Sequence, residues 1–120
     1  MAKIAIIDDS DVALSWAQEG LAPFGHEVVT YNRSIGITGF VRVKKPDVVL
    51  LDVNMEGIKG DLVCKVLKDD PSMKDLIVAL YSSMPEKELK ELAQSVGADA
   101  HIAKTNNAES LNRAITALLK

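Results

Sequence analysis

Five short apolar runs, each followed by a longer amphipathic stretch, set the class of fold open to this chain. The runs are Ile4-Ala5-Ile6-Ile7, the weaker His26-Glu27-Val28-Val29-Thr30-Tyr31, Asp47-Val48-Val49-Leu50-Leu51, Leu76-Ile77-Val78-Ala79-Leu80 and Ala100-His101-Ile102-Ala103. Near-continuous apolar runs of this length, rich in β-branched residues, read as strands covered on both faces, as in a parallel sheet. The stretches between them carry helical spacing. Ala13, Ala17, Leu21 and Phe24 share one face of a first helix that stops at Gly25. Ser34 to Lys45 reads as a second helix, weakened by Gly36 and Gly39 and ended by Pro46. Leu62, Val63, Val66 and Leu67 form the face of a third, stopped before Pro71. Pro85 marks the first turn of a fourth, which runs through Leu89, Leu92, Ala93 and Val96 to Gly97. Leu111, Ile115 and Leu118 carry the last.

Strand–helix alternation of this kind implies right-handed crossovers with helices on both faces of the sheet. The expected fold is a three-layer, doubly wound (βα)5 α/β domain. Its five-stranded parallel sheet has the flavodoxin-like order 2-1-3-4-5, and its ligand crevice lies at the carboxyl ends of strands 1 and 3. The 120 residues suit one domain, 1–120, and 48 % apolar residues suffice for a core. A net charge of −3 argues against direct binding of nucleic acid. No stretch approaches the roughly 20 apolar residues of a membrane span, and the opening run is too short for a signal peptide. The single cysteine, Cys64, is expected to be a small buried hydrophobe. One thiol suits a reducing compartment, so a cytoplasmic protein is expected.

The polar residues gather at the expected crevice. Strand 1 runs into Asp8-Asp9, strand 3 ends in Asp52, strand 4 is followed by Ser82-Ser83, and strand 5 by Lys104. Strand 2, at the sheet edge, offers only Asn32 and Arg33. A lone Asp after a strand ordinarily caps a helix, and Asp9 or Ser10 suits that task. Capping does not explain three carboxylates, a hydroxyl and an ammonium arriving together from four strands. Two unit charges ~5 Å apart repel by roughly 3 kcal/mol at an effective dielectric of ~20. A divalent cation relieves that conflict, and a few oxygen ligands with an open side suit Mg²⁺. A carboxylate beside such an ion can attack phosphorus and carry an aspartyl phosphate.

The whole chain resembles a response-regulator receiver domain of two-component signalling, of the stand-alone chemotaxis type. The resemblance rests on Ile6-Ile7-Asp8-Asp9-Ser10, on Asp47-Val48-Val49-Leu50-Leu51-Asp52, on Asn54-Met55 with Gly57 and Gly60, on Ser82, and on Gly97-Ala98-Asp99 leading to Lys104. It implies that Asp52 accepts a phosphoryl group from a phosphohistidine. It further implies Mg²⁺ (or Mn²⁺) held by Asp9, Asp52 and the backbone carbonyl of Asn54, with Asp8 acting through water. Ser82 and Lys104 would each contact a phosphoryl oxygen. His101 stands where the family usually keeps a Tyr or Phe that moves with Ser82. Asn54 and Met84 would border the path of the hydrolytic water, and bulky Met84 is expected to prolong the phosphorylated state.

Three residues depart from the family pattern. Glu56 and Thr105 each replace a proline, and His101 replaces the aromatic ring. The Lys104-Thr105 bond is expected either trans, which puts the reach of Lys104 in question, or cis and held by packing. The resemblance implies a histidine kinase or histidine phosphotransfer protein upstream, meeting helix 1 and the loop after strand 5. Trp16, at the flank of the helix 1 stripe, is expected to be either half exposed on that surface or a boundary core residue. Downstream, an unidentified target or a second copy would meet the face of helix 4, strand 5 and helix 5. No output domain is expected after the last helix, so the switch would act by docking. The chain would not be a turnover enzyme: hydrolases of the aspartyl-phosphate type usually place their nucleophile after the first strand. A receiver-fold interaction module that no longer needs phosphate is the alternative. A nucleotide site is disfavoured by the lack of a G-x-G-x-x-G turn after strand 1.

Overall fold

The computed structural model describes residues 2–54, 60–105 and 107–119. The elements alternate in chain order as β1 (Lys3–Ile7), α1 (Asp11–Leu21), β2 (Glu27–Tyr31), α2 (Ile37–Lys44), β3 (Val48–Asp52), α3 (Gly60–Asp69), β4 (Ile77–Ser82), α4 (Glu86–Val96), β5 (Ala100–Ala103) and α5 (Ala108–Leu118). The strands pair in the order β2-β1-β3-β4-β5, all parallel. This is the doubly wound arrangement the alternation implied.

Side chains of successive strand residues point to opposite faces, so each central strand feeds two cores. Ala5, Ile7, Val49, Leu51, Val78 and Leu80 pack toward α2, α3 and α4. Ile4, Ile6, Val48, Leu50, Ala79 and Tyr81 pack toward α1 and α5. Burying each large aliphatic residue contributes roughly 1.5–3 kcal/mol relative to exposure. That explains why the runs lack the polar–apolar alternation of a one-sided sheet.

Several boundaries differ from the sequence expectation. In α1 the buried line is Leu14, Ala17 and Leu21, while Ala13 is only half-buried. Phe24 is exposed and belongs to a 3₁₀ turn, Ala22–Phe24, closed by Gly25 at φ +84°. His26 lies outside β2, its ring bonded to Asn112 at 2.7 Å. Helix α2 is shorter than 34–45 because Gly36 adopts φ +84°, which an α-helix cannot contain. A Cβ on Gly36 would lie 2.7 Å from the Tyr31 hydroxyl oxygen. In α3, Val63, Cys64 and Leu67 are buried, whereas Leu62 and Val66 are each 56 % exposed. Helical spacing allows either stripe, and packing selected the one centred on Cys64. Pro85 is the N-cap of α4, one residue ahead of the first turn. Trp16 is half-buried against the α1–α5 core. Among the described residues no helix is long and apolar enough to cross a membrane.

Candidate functional site

The carboxyl edge of the sheet brings Asp8, Asp9, Asp52, Ser82 and Lys104 together. Asp8 follows β1, its amide bonded to the Tyr31 carbonyl at 3.1 Å. Asp52 is the last residue of β3 and Ser82 the last of β4. Asp8, Asp52 and Ser82 are the buried polar or charged residues among those described. Asp9 is exposed at the mouth. One carboxylate oxygen from each of Asp8, Asp9 and Asp52 lies within 4.8 Å of the others.

Capping duties fall on neighbours instead. The Ser10 hydroxyl accepts from the Ala13 amide at 3.2 Å and closes the amino end of α1. Asn107 does the same for α5, and Thr105 accepts from the Asn107 amide at 3.2 Å. Thr105 thus serves the approach to α5. No peptide bond among the described residues is cis. Lys104 reaches the crevice across this trans junction. Its Nζ lies 2.7 Å from Asp8 Oδ2 and 3.7 Å from Asp52 Oδ2.

Two buried carboxylates share that single ammonium. Asp8 Oδ1 accepts from the Ser10 amide at 3.0 Å, and Asp52 Oδ1 from the Asn54 amide at 3.1 Å. Burial is the largest influence on Asp52 and pushes its pKa up from the ordinary 3.8. The Asn54 amide and Lys104 oppose that rise, and the Asp8 carboxylate adds to it. The donor set therefore fits a hard divalent cation: all-oxygen, negatively charged and open at Asp9.

The remaining candidates lie around this centre. The Ser82 hydroxyl is buried and accepts from the Met84 amide at 3.1 Å, with the Asn54 side-chain amide at 3.5 Å. Met84 is half-buried against the core on the α2, α3 and α4 side. His101 points to the same side, its Nε2 2.8 Å from Glu86 Oε1 in the first turn of α4. Asn32, beyond β2, donates to Asp11 at 2.9 Å, beside the crevice and not in it. Met55, Glu56 and Gly57 lie outside the described residues.

One member of the site escaped sequence reasoning. Tyr81 is buried in β4, in register with Asp52 on one side and Ile102 on the other. Its ring centroid is 5.4 Å from Lys104 Nζ. Burial, with the charges of Asp8 and Asp52, pushes its phenol up to about 12, so it stays neutral. The available signal is its place directly before Ser82, one residue beyond the apolar run that ends at Leu80.

Residues 4–116 match the family model described as the response regulator receiver domain. The chain belongs to that family. It is 29 % identical over 119 residues to Protein PilH of Pseudomonas aeruginosa, covering 99 % of this chain and 98 % of PilH. It is 30 % identical over 117 residues to Protein RcaC of Microchaete diplosiphon, where the match covers 97 % of this chain and 18 % of RcaC. The chemotaxis protein CheY4 of Vibrio cholerae has the same fold, with a TM-score of 0.88 at 24 % identity over 98 % of both chains. Receivers are signalling modules of two-component systems and not turnover enzymes on external substrates. Receivers bind Mg²⁺ through an acidic pocket, and this chain carries a cluster of acids, Asp8, Asp9 and Asp52, at the matching edge of its sheet. They work between histidine kinases and downstream targets.

Proposed function

We propose that this receiver takes a phosphoryl group from a phosphohistidine onto Asp52 and passes the change to a docking partner. The observation that carries this reading is the crowding of Asp8, Asp9 and Asp52 within 4.8 Å, with one ammonium between the two buried members. Such crowding has no use in a module that ignores phosphate. Asp9, Asp52 and the Asn54 carbonyl would hold Mg²⁺ (or Mn²⁺) directly, and Asp8 through water. The ion would supply positive charge to the transferring group.

An Asp52 carboxylate oxygen forms the bond to phosphorus while the P–N bond to the donor imidazole breaks, its electron pair staying on nitrogen. Lys104 turns toward the new phosphoryl oxygens, for which its 3.7 Å distance from Asp52 leaves a short path. The Ser82 hydroxyl, now accepting from the Met84 amide, swings to donate to another oxygen. Because Lys104 N donates to the Ser82 carbonyl at 2.8 Å, movement at Ser82 reaches β5 directly. His101, on β5 and bonded to Glu86 of α4, would then alter the α4–β5–α5 face. That face would receive the downstream target or a second copy. Met84 and Asn54 would set how soon water removes the phosphoryl group.

Intact-mass spectrometry after acetyl phosphate and MgCl₂ tests the reading. One phosphoryl group should be gained, and none should be gained when EDTA replaces MgCl₂ or in Asp52→Ala. A gain that survives Asp52→Ala overturns the assignment.

A further inference from the structure

Among the described residues, the Lys104 ammonium has two carboxylate partners and one uncharged one, the aromatic face of Tyr81. The two charged walls of this cradle are Asp8 and Asp52, with Nζ at 2.7 and 3.7 Å. The ring centroid lies 5.4 Å from Nζ, within the roughly 6 Å over which a π face attracts a cation. Its placement is built into the sheet. Tyr81 is in register with Ile102 on β5, and the ladder continues to the Lys104 amide on the Ser82 carbonyl at 2.8 Å. The ring is almost fully buried, 3 % exposed, so it cannot turn away.

The three walls respond differently to the proposed reaction, on which this inference rests. A cation bound by the acidic cluster draws on the charge of Asp8 and Asp52. Phosphorylation then moves charge from Asp52 outward onto phosphoryl oxygens. Each event loosens the carboxylates' hold on a long, flexible lysine stem. The quadrupole of the ring is untouched by either. We infer that Tyr81 is a positioning residue, holding the Lys104 ammonium at the mouth of the pocket while the charge around it is redistributed. The phenol hydroxyl plays no part in this, since the attraction comes from the ring face. Phenylalanine should therefore replace Tyr81, and leucine, which fills similar space without a π face, should not.

The experiment compares Tyr81→Phe and Tyr81→Leu, each alone and with Lys104→Met, after ¹H–¹⁵N spectra have confirmed folding. The first readout is the NMR shift of the Lys104 ε-methylene protons in the unphosphorylated chain. The ring current should move them upfield in wild type and Tyr81→Phe and not in Tyr81→Leu. The second is the rate of Asp52 modification by acetyl phosphate. Tyr81→Phe should stay within about twofold of wild type and Tyr81→Leu fall about tenfold, with no further fall when Lys104 is already Met. An equal loss in Phe and Leu variants, or a Leu effect that persists in Lys104→Met, overturns the inference. So does an unshifted ε-methylene in wild type, even where Tyr81→Leu fails to fold. A wild-type chain that takes no phosphoryl group would instead overturn the proposed function, and the ε-methylene comparison would still decide the cradle.

Discussion

The two ends of the β-sheet hold the same residue types and treat them in opposite ways. At the amino-terminal edge, Asp47 is exposed and accepts from the Lys3 backbone amide at 2.8 Å. Lys3 Nζ stands 3.8 Å from Glu27, whose side chain is 67 % exposed. Water screens these charges, and a pair of that kind contributes about 0–1 kcal/mol. At the carboxyl edge, Asp8 and Asp52 are 1 % and 4 % exposed and share one lysine. Among the described residues that lysine is their shared cationic partner, and both acids are kept from solvent. The first arrangement fastens a chain end, and the second leaves an acidic crevice whose oxygen ligands suit a divalent cation.

Substitution at Asp52 should break this contrast most completely. Asp52→Asn is expected to abolish phosphoryl gain and, in EDTA at neutral pH, to raise Tm by about 2–5 °C. The sign follows from the raised pKa of Asp52. The folded carboxyl keeps its proton where the unfolded one has lost it, so ionisation costs stability as pH climbs from 3.8 through the higher folded value. The advantage of Asn should thus be absent below pH 3.8 and full above the folded pKa. Thermal melts across pH give the answer, with Asp47→Asn at the other edge showing no such gain. An Asp52→Asn protein less stable than wild type at neutral pH would remove the contrast.

Lys104→Met comes next. It leaves Asp8 and Asp52 without their shared cation, at a cost of about 2–4 kcal/mol in urea unfolding, part of which Mg²⁺ should restore. Phosphorylation by acetyl phosphate should slow about 100-fold. Unchanged stability would mean that water already neutralises these acids. Met84→Ala is expected to shorten the phosphorylated lifetime roughly threefold by admitting water, seen as faster loss of the mass gain. An equal or longer lifetime would remove Met84 from the water path.

The smallest effect lies at the amino-terminal edge, in the connection that leads into β4. Asp70 accepts from the Ser72 hydroxyl and amide and from Arg42, which together hold its carboxyl at about 2. Its contribution is present above the unfolded value of 3.8 and is lost as pH falls through about 2. Urea midpoints of Asp70→Asn should lie slightly below wild type at pH 7 and converge with it over that acid window.

The order of elements and the acidic edge were readable from the chain because both rest on local patterns. Continuous apolar runs such as Val48–Leu51 demand cover on two faces, and Asp8, Asp9, Asp52, Ser82 and Lys104 fall where such runs end. Helix faces were less legible. Leu62-Val63-Cys64 with Val66-Leu67 offers more apolar residues than one face needs, and only contact with the sheet chose Val63, Cys64 and Leu67. The extent of α2 was hidden because Gly36 takes a left-handed φ that composition does not reveal.

The sequence by itself determined that carboxylates, hydroxyl and lysine meet at one crevice, since strand ends in a doubly wound sheet share an edge. Tertiary structure alone decided how they divide the charge. Lys104 sits nearer Asp8 than Asp52, Thr105 serves the approach to α5, His101 is tied to Glu86, and Tyr81 lies beside the ammonium. Each of these depends on distances between chain segments far apart in sequence. Burial and Coulomb interaction are set by those distances, which no local pattern of residues encodes.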